Sequence, residues 1–271
     1  MKLSTGTNSF QTRFGPWALV AGASQGLGAE YARQLAARGL NLVLVARHSG
    51  RLDALAADLA AQYPVQTRTI VCDLSQAEAA EQVATQAAGL EVGLLVYNAA
   101  LAPVAPFFEL TLEQHLAALQ TNVRTPLELV YRFGEHMRAR RRGGILLMSS
   151  LSALQGSALI AHYAATKAYN LILAEGLWDE LRQDGIAVLA SLPASIATPN
   201  YQASLPEQGR SGVPAMPPQQ VAAESLAALG RQSTRIPGWS NRAAAFVMRR
   251  LLPRQAAIRL MGSTLRRMNS H

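Results

Sequence analysis

Tyr163 and Lys167 are four residues apart, which puts them on one face of a helix about one turn apart. An ammonium beside a phenol favours tyrosinate and lowers the phenol's pKa. A phenol tuned in this way gives a proton to a carbonyl oxygen, or takes one from an alcohol, nearer neutral pH. The pair alone is a weak signal, because helix surfaces produce it by chance. Two observations lift it. Of the 25 basic residues only Lys2 and Lys167 are lysine, the rest being arginine. Ser150 stands where an apolar run ends, thirteen residues before Tyr163, and its hydroxyl can donate to the same oxygen.

A second constellation is rich in glycine. An apolar run from Trp17 leads into Ala21-Gly22-Ala23-Ser24-Gln25-Gly26-Leu27-Gly28, and a helix-like stretch follows. Glycines so placed allow a tight turn, a close approach to a pyrophosphate and helix-strand packing. The helix N-terminus adds free N–H groups and partial positive charge. A plain flexible turn is the other reading, and the position after a first strand favours the nucleotide site. The second strand ends Val45-Ala46-Arg47, with no acid for a ribose 2′-hydroxyl. Arg47 can instead grip a 2′-phosphate with its planar fork, which favours NADP(H) over NAD(H). A solvated arginine opening the next helix is its alternative role. Asp73 is placed to bond an adenine edge; Asp73 or Ser75 can equally cap a helix.

These residues need elements to hold them. Strands are expected over Trp17–Ala21, Asn41–Ala46, Thr67–Cys72, Val92–Tyr97, Ile145–Ser149 and Ile186–Leu192. Helices are expected over Gly26–Arg38, Arg51–Gln62, Gln76–Ala88 and Tyr163–Arg182. Another runs from Leu112 to Gly134 or beyond, with Pro126 near its middle. Strand-helix alternation with unbroken apolar strands predicts an α/β fold, a doubly wound parallel sheet with helices on both faces. One catalytic domain is expected over residues 1–240, with an acid-free basic extension over 241–271.

With these motifs in place, the sequence resembles the short-chain dehydrogenase/reductase family, a single-domain Rossmann fold, over Trp17 to Pro199. The branch it looks like is the NADP(H)-preferring ketoreductase and hydroxysteroid dehydrogenase one. The family's Gly-x-x-x-Gly-x-Gly loop matches Gly22, Gly26 and Gly28, and its Asn-Ala-Gly motif matches Asn98-Ala99-Ala100. Its catalytic Asn, Ser, Tyr and Lys match Asn122, Ser150, Tyr163 and Lys167. Its Pro-Gly turn and following Thr match Pro193-Ala194 and Thr198. The resemblance implies cofactor contacts at Gly22, Ser24, Gln25, Gly26, Leu27, Gly28, Arg47, Asp73, Leu74, Asn98, Ala99 and Ala100. Further contacts follow at Tyr163, Lys167, Pro193, Ala194, Ile196 and Thr198. It also implies a water held by Asn122 in a proton relay, and a homodimer or homotetramer. Three positions depart from the family pattern. Ala21 replaces a threonine, and Ala100 and Ala194 replace glycines, which suits those sites only if φ there is negative.

Other features bound the function. The chain has 271 residues, 49% hydrophobic and 15% charged, a globular composition. Cys72 is the sole cysteine, so an intrachain disulfide is excluded, as is a cysteine zinc site. His48, His115 and His136 lack metal-ligand spacing, and no metal is expected. His162 reads as packing or a pocket wall, Cys72 as a core strand residue, and Phe107, Phe108 and Met148 as core. Arg138, Arg140, Arg141 and Arg142 read as the end of a helix, where cations suit the dipole. No apolar run reaches the ~18 residues of a membrane span, and Met1–Phe14 lacks an apolar signal core, so a cytoplasmic location is expected.

The net charge is +8, and seven of those charges are arginines between Asn241 and His271. The body is therefore nearly neutral, which disfavours nucleic acid as a partner. The tail mixes apolar and Arg positions at helical spacing, with a break at Pro253. It suits an anionic membrane surface, a partner subunit or the rim of the substrate cleft. The 200–219 loop, with Tyr201, Leu205, Val213 and Met216, points to an apolar carbonyl or alcohol substrate. The expected activity is hydride transfer with Tyr163 as general acid/base. A cofactor-binding regulator and a peripheral membrane scaffold with little turnover are the competing classes.

Overall fold

The computed structural model of the protein describes residues 9–198 and 215–269. Most of the expected substrate loop, including Tyr201, Leu205 and Val213, lies outside the described residues. The strands are β1 (Trp17–Ala21), β2 (Asn41–Ala46), β3 (Thr67–Val71), β4 (Val92–Tyr97), β5 (Gly143–Met148), β6 (Ile186–Ser191) and a short β7 (Thr234–Arg235). They form one parallel sheet in the order β3-β2-β1-β4-β5-β6-β7. The helices are α1 (Ser9–Phe14), α2 (Gly26–Ala36), α3 (Ser49–Gln62), α4 (Ala79–Gln86), α5 (Leu112–Leu119), α6 (Thr125–Ala139), α7 (Ala161–Glu180), α8 (Pro218–Ala228), α9 (Trp239–Phe246) and α10 (Arg254–Asn269).

β1, β2, β4, β5 and β6 are buried on both faces, which is why they read as unbroken apolar runs, whereas the edge strand β3 is partly exposed and mixes polar residues. Ala18 and Val20 of β1 enter a core with Tyr31 and Leu35 of α2, Leu52 of α3 and Leu226 of α8. Their neighbours Leu19 and Ala21 enter the opposite core, with Val83 of α4, Phe133 of α6 and Leu171 of α7. At the amino ends of the strands, α1 closes the sheet. A Cβ at Gly144 would stand 2.8 Å from the Phe14 ring, and one at Gly93 would press on the Phe14 carbonyl.

The helix expected from Leu112 runs unbroken to Ala139, with Pro126 inside it. A capping box of Thr111 and Gln114 starts α5, one π-helical turn occupies Gln120–Arg124, and α6 continues from it. Pro126 has no N–H for the Asn122 carbonyl, and that oxygen accepts from Asn170 Nδ2 at 2.9 Å instead. Two expectations change. α4 begins at Ala79, not Gln76, so neither Asp73 nor Ser75 caps it. The arginines at the end of α6 and just beyond it do more than end a helix: Arg138 and Arg141 pair with Asp184, and Arg140 and Arg142 with Glu91.

Candidate active site

The sheet order reverses between β1 and β4, which splays the loops at their carboxyl ends and leaves a crevice. A cleft of about 430 Å³ opens there. Chain segments after β1, β2, β3, β4, β5 and β6 all reach it, so residues far apart in sequence meet in one place.

The glycine loop forms its floor. Gly22 has φ +81°, and a Cβ there would stand 2.8 Å from the Ala99 backbone. A Cβ at Gly28 would overlap the Gly22 carbonyl oxygen. Only glycine lets these backbones close up. Asn98 locks the arrangement by donating from Nδ2 to the Gly22 oxygen at 3.0 Å. The Asn98 and Ala99 amides both donate to the Ala21 carbonyl at 2.9 Å, so backbone bonds tie the loop beside Ala21. Neither Ala100 nor Ala194 has a positive φ, so alanine fits both positions without strain.

Of the expected cofactor contacts, Gly22, Ser24, Gln25, Gly26, Leu27, Arg47, Asp73, Leu74, Asn98, Ala99 and Ala100 line the cleft. Pro193, Ala194, Ile196 and Thr198 line it from the other side. Gly28 and Asn122 stand behind this wall as supports. Asp73 accepts from the Ser75 amide at 3.0 Å and the Ser75 hydroxyl at 2.8 Å. Burial pushes its pKa up, but the Ser75 bonds and the Arg47 charge outweigh this and hold it below the ordinary value. Arg51 and His48 also line this end, and Arg51 donates to the Gln25 side chain. The sequence reading missed both; the signal available was their position beside Arg47, at the start of α3. An exposed Arg47 with Arg51 beside it, above a glycine cradle, fits a phosphorylated dinucleotide.

Ser150, Tyr163 and Lys167 converge at the far end of the cleft. Ser150 follows β5, and Tyr163 and Lys167 sit on the first turns of α7. The Lys167 ammonium is buried and donates to the Met148 carbonyl at 2.8 Å. It lies 5.7 Å from the centre of the Tyr163 ring. Burial lowers its pKa to about 8. The expectation for Tyr163 is corrected here. Its pKa is raised, because burial outweighs the hydrogen bond with Ser150. Asn122 is fully buried in the π-helical turn. Its side chain accepts from the Leu101 amide at 2.9 Å and donates to the Leu101 carbonyl at 2.8 Å and the Thr166 hydroxyl at 3.1 Å. It thereby clamps the segment after β4 to the helix that carries Tyr163.

Met148 is buried as expected, and it forms part of the cleft floor. Cys72 lies one residue beyond β3 and is likewise buried against the cleft. Phe107 and Phe108 are not core: they are 50% and 96% exposed, since a 3-10 turn over Phe107–Glu109 holds them on the surface. With Leu112, Leu116, His115 and His162 they wall a separate apolar hollow beside the start of α7.

Comparisons with known proteins agree with this geometry. The family model for short chain dehydrogenase matches residues 16–209. The chain is 29% identical to a 7beta-hydroxysteroid dehydrogenase of Collinsella aerofaciens, over 95% of this chain and 99% of that protein. A solved structure from a study of 7beta-hydroxysteroid dehydrogenase stereoselectivity superposes with a TM-score of 0.87. It is 28% identical and covers 93% of this chain and 98% of that one. A short-chain dehydrogenase from Sphingobium yanoikuyae in complex with NADPH superposes with a TM-score of 0.76. It is 28% identical and covers 85% of this chain and 92% of that one. A glycine-floored cleft at the switch point of a parallel sheet and a family match over most of the chain lead to one conclusion: the protein belongs to the short-chain dehydrogenase family and is an NAD(P)-dependent oxidoreductase.

Proposed function

We propose that the protein interconverts a ketone and a secondary alcohol on a bulky apolar substrate, using NADP(H), with Tyr163 as the general acid/base. The observation that carries this reading is the meeting of Ser150, Tyr163 and Lys167 in the same cleft as the glycine floor and Arg47. The 7beta-hydroxysteroid dehydrogenase relatives support a substrate of hydroxysteroid shape. The Sphingobium yanoikuyae structure with NADPH supports the phosphorylated cofactor.

The nicotinamide, when bound, supplies or accepts the hydride. The chain's own residues do the rest. Gly22, Gly26 and the α2 N-terminus hold the pyrophosphate, and Arg47 and Arg51 hold the 2′-phosphate. Ser150 donates to the substrate oxygen and orients it. Tyr163, kept protonated by burial, gives its phenolic proton to that oxygen in reduction and takes it back in oxidation. Lys167, titrating near 8, positions the nicotinamide ribose and returns the proton. Asn122 holds the relay water and the wall behind Tyr163. A cytoplasmic homodimer or homotetramer completes the reading. The regulator and scaffold readings are not favoured, since neither needs the Ser-Tyr-Lys cluster.

Tyr163→Phe tests the assignment. Turnover of an apolar ketone with NADPH should fall at least about 10²–10⁴-fold. The thermal shift caused by NADP⁺ should persist. Retention of more than a tenth of the activity would overturn the role of Tyr163.

A further inference from the structure

The carboxyl-terminal segment presents a surface that catalysis does not use. Trp239 and Phe246 lie seven residues apart on the outer side of α9, Val247 follows them into the next turn, and Ala245 faces inward. Trp239 is 77% exposed, and Phe246, Leu251 and Leu260 also stand in solvent. Arg249 and Arg250 sit in the π-helical turn Val247–Leu251, and Arg254 and Arg259 follow on α10. All four are exposed, and among the described residues they make no ion pair. No acid occurs from Asn241 onward.

Two kinds of partner cover a face of this composition. A second copy meeting it across a two-fold axis would set arginine against arginine, because a two-fold contact is self-complementary. Like charges so placed oppose association. An anionic lipid surface offers phosphate charge to the arginines and hydrocarbon to Trp239, Phe246 and Leu251. Among the described residues no helix is long and apolar enough to cross a membrane, so the contact is peripheral.

We propose that the outer face of α9, the π-helical turn and α10 docks the enzyme onto an anionic bilayer surface. Its placement ties it to the active site. A Cβ at Gly262 of α10 would stand 3.4 Å from that of Ala158, in the segment joining Ser150 to Tyr163. Gly238, at the base of α9, packs on Met216, which pairs with Ile196 of the cleft wall. Docking therefore holds the cleft near the bilayer, behind the carboxyl-terminal segment, where an apolar ketone concentrates. This last step rests on the reaction proposed above; the docking itself does not.

The test uses the full chain with vesicles of phosphatidylcholine alone or mixed with phosphatidylglycerol. Sedimentation should require phosphatidylglycerol and should weaken as salt rises. Arg249→Glu with Arg250→Glu should reduce binding by about tenfold or more, and Trp239→Ser with Phe246→Ser should reduce it as well. Each variant should keep the NADP⁺ thermal shift and the turnover of a water-soluble ketone, which shows that it is folded. No sedimentation at low salt, or equal sedimentation with phosphatidylcholine alone, would overturn the proposal. So would variants that dissociate an oligomer in lipid-free solution while vesicle binding is unchanged, because the face would then be a subunit contact. Soluble-ketone turnover separates the two readings: its absence in the wild type counts against the reaction, and vesicle binding alone then decides the docking.

Discussion

Lys167 carries a charge into a place that excludes water, and burial lowers its pKa to about 8 against an ordinary 10.5. Below pH 8 both folded and unfolded chains hold the proton, and the cost of the buried charge stands in full. Between the two values the unfolded chain binds a proton that the folded chain has released, so stability rises with pH. The wild type should therefore gain thermal stability relative to Lys167→Met as pH moves from 8 toward 10.5. Parallel melting curves across that window would show that the ammonium is not buried in solution. At the other end of the cleft, Arg47→Ala and Arg51→Ala should each weaken NADP⁺ binding by about ten- to a hundredfold, the worth of a charge-assisted hydrogen bond. NAD⁺ binding should hardly change. Titration calorimetry with both nucleotides decides this, and equal losses would remove the 2′-phosphate role. Residue type and spacing were enough to find Ser150, Tyr163 and Lys167 in the sequence. They did not reveal the direction of the tyrosine shift. That depends on how deeply tertiary packing buries the phenol, since burial outweighs its bond with Ser150. Phe107 and Phe108 misled for the same reason, since apolarity alone does not say what covers a side chain.

The π-helical turn between α5 and α6 is held by Asn122. Its three side-chain bonds join Leu101, Thr166 and the turn itself. Asn122→Ala leaves the half-buried amide and carbonyl of Leu101 without these partners and should cost about 1–3 kcal/mol of stability. Hydrogen exchange at the Leu101 amide should speed up beyond that of β4, and unchanged protection would show that the clamp is not needed. Strands β1, β2 and β4 could be read from sequence to the residue, because burial on both faces leaves an apolar run with sharp ends. The π-helical turn could not, since a continuous apolar period runs through it and the bonds that hold it reach 21 and 44 residues away. β7 and α1 are too short to show a period at all.

At the scale of the whole molecule, the cleft joins two halves of the sheet that share a single seam between β1 and β4. A dinucleotide lying there touches loops from both, so binding should stabilise the fold as one unit. NADP⁺ at about a hundred times its Kd adds about 2.7 kcal/mol, and the midpoint should rise by about 5–10 °C in a chain of this size. One shifted transition is expected in calorimetry. A split into two would mean that the halves unfold separately and the ligand holds only one. The polarity of the sheet also decides where the protein can be handled. Phe14 and α1 seal the ends of the strands opposite the cleft, whereas α10 lies beside the segment that leads to Tyr163. An affinity tag or solid support joined ahead of Ser9 therefore attaches at the blind end and leaves the working end open. The same attachment after α10 crowds the entrance, so a biocatalyst built on this scaffold should be tethered by its amino-terminal side.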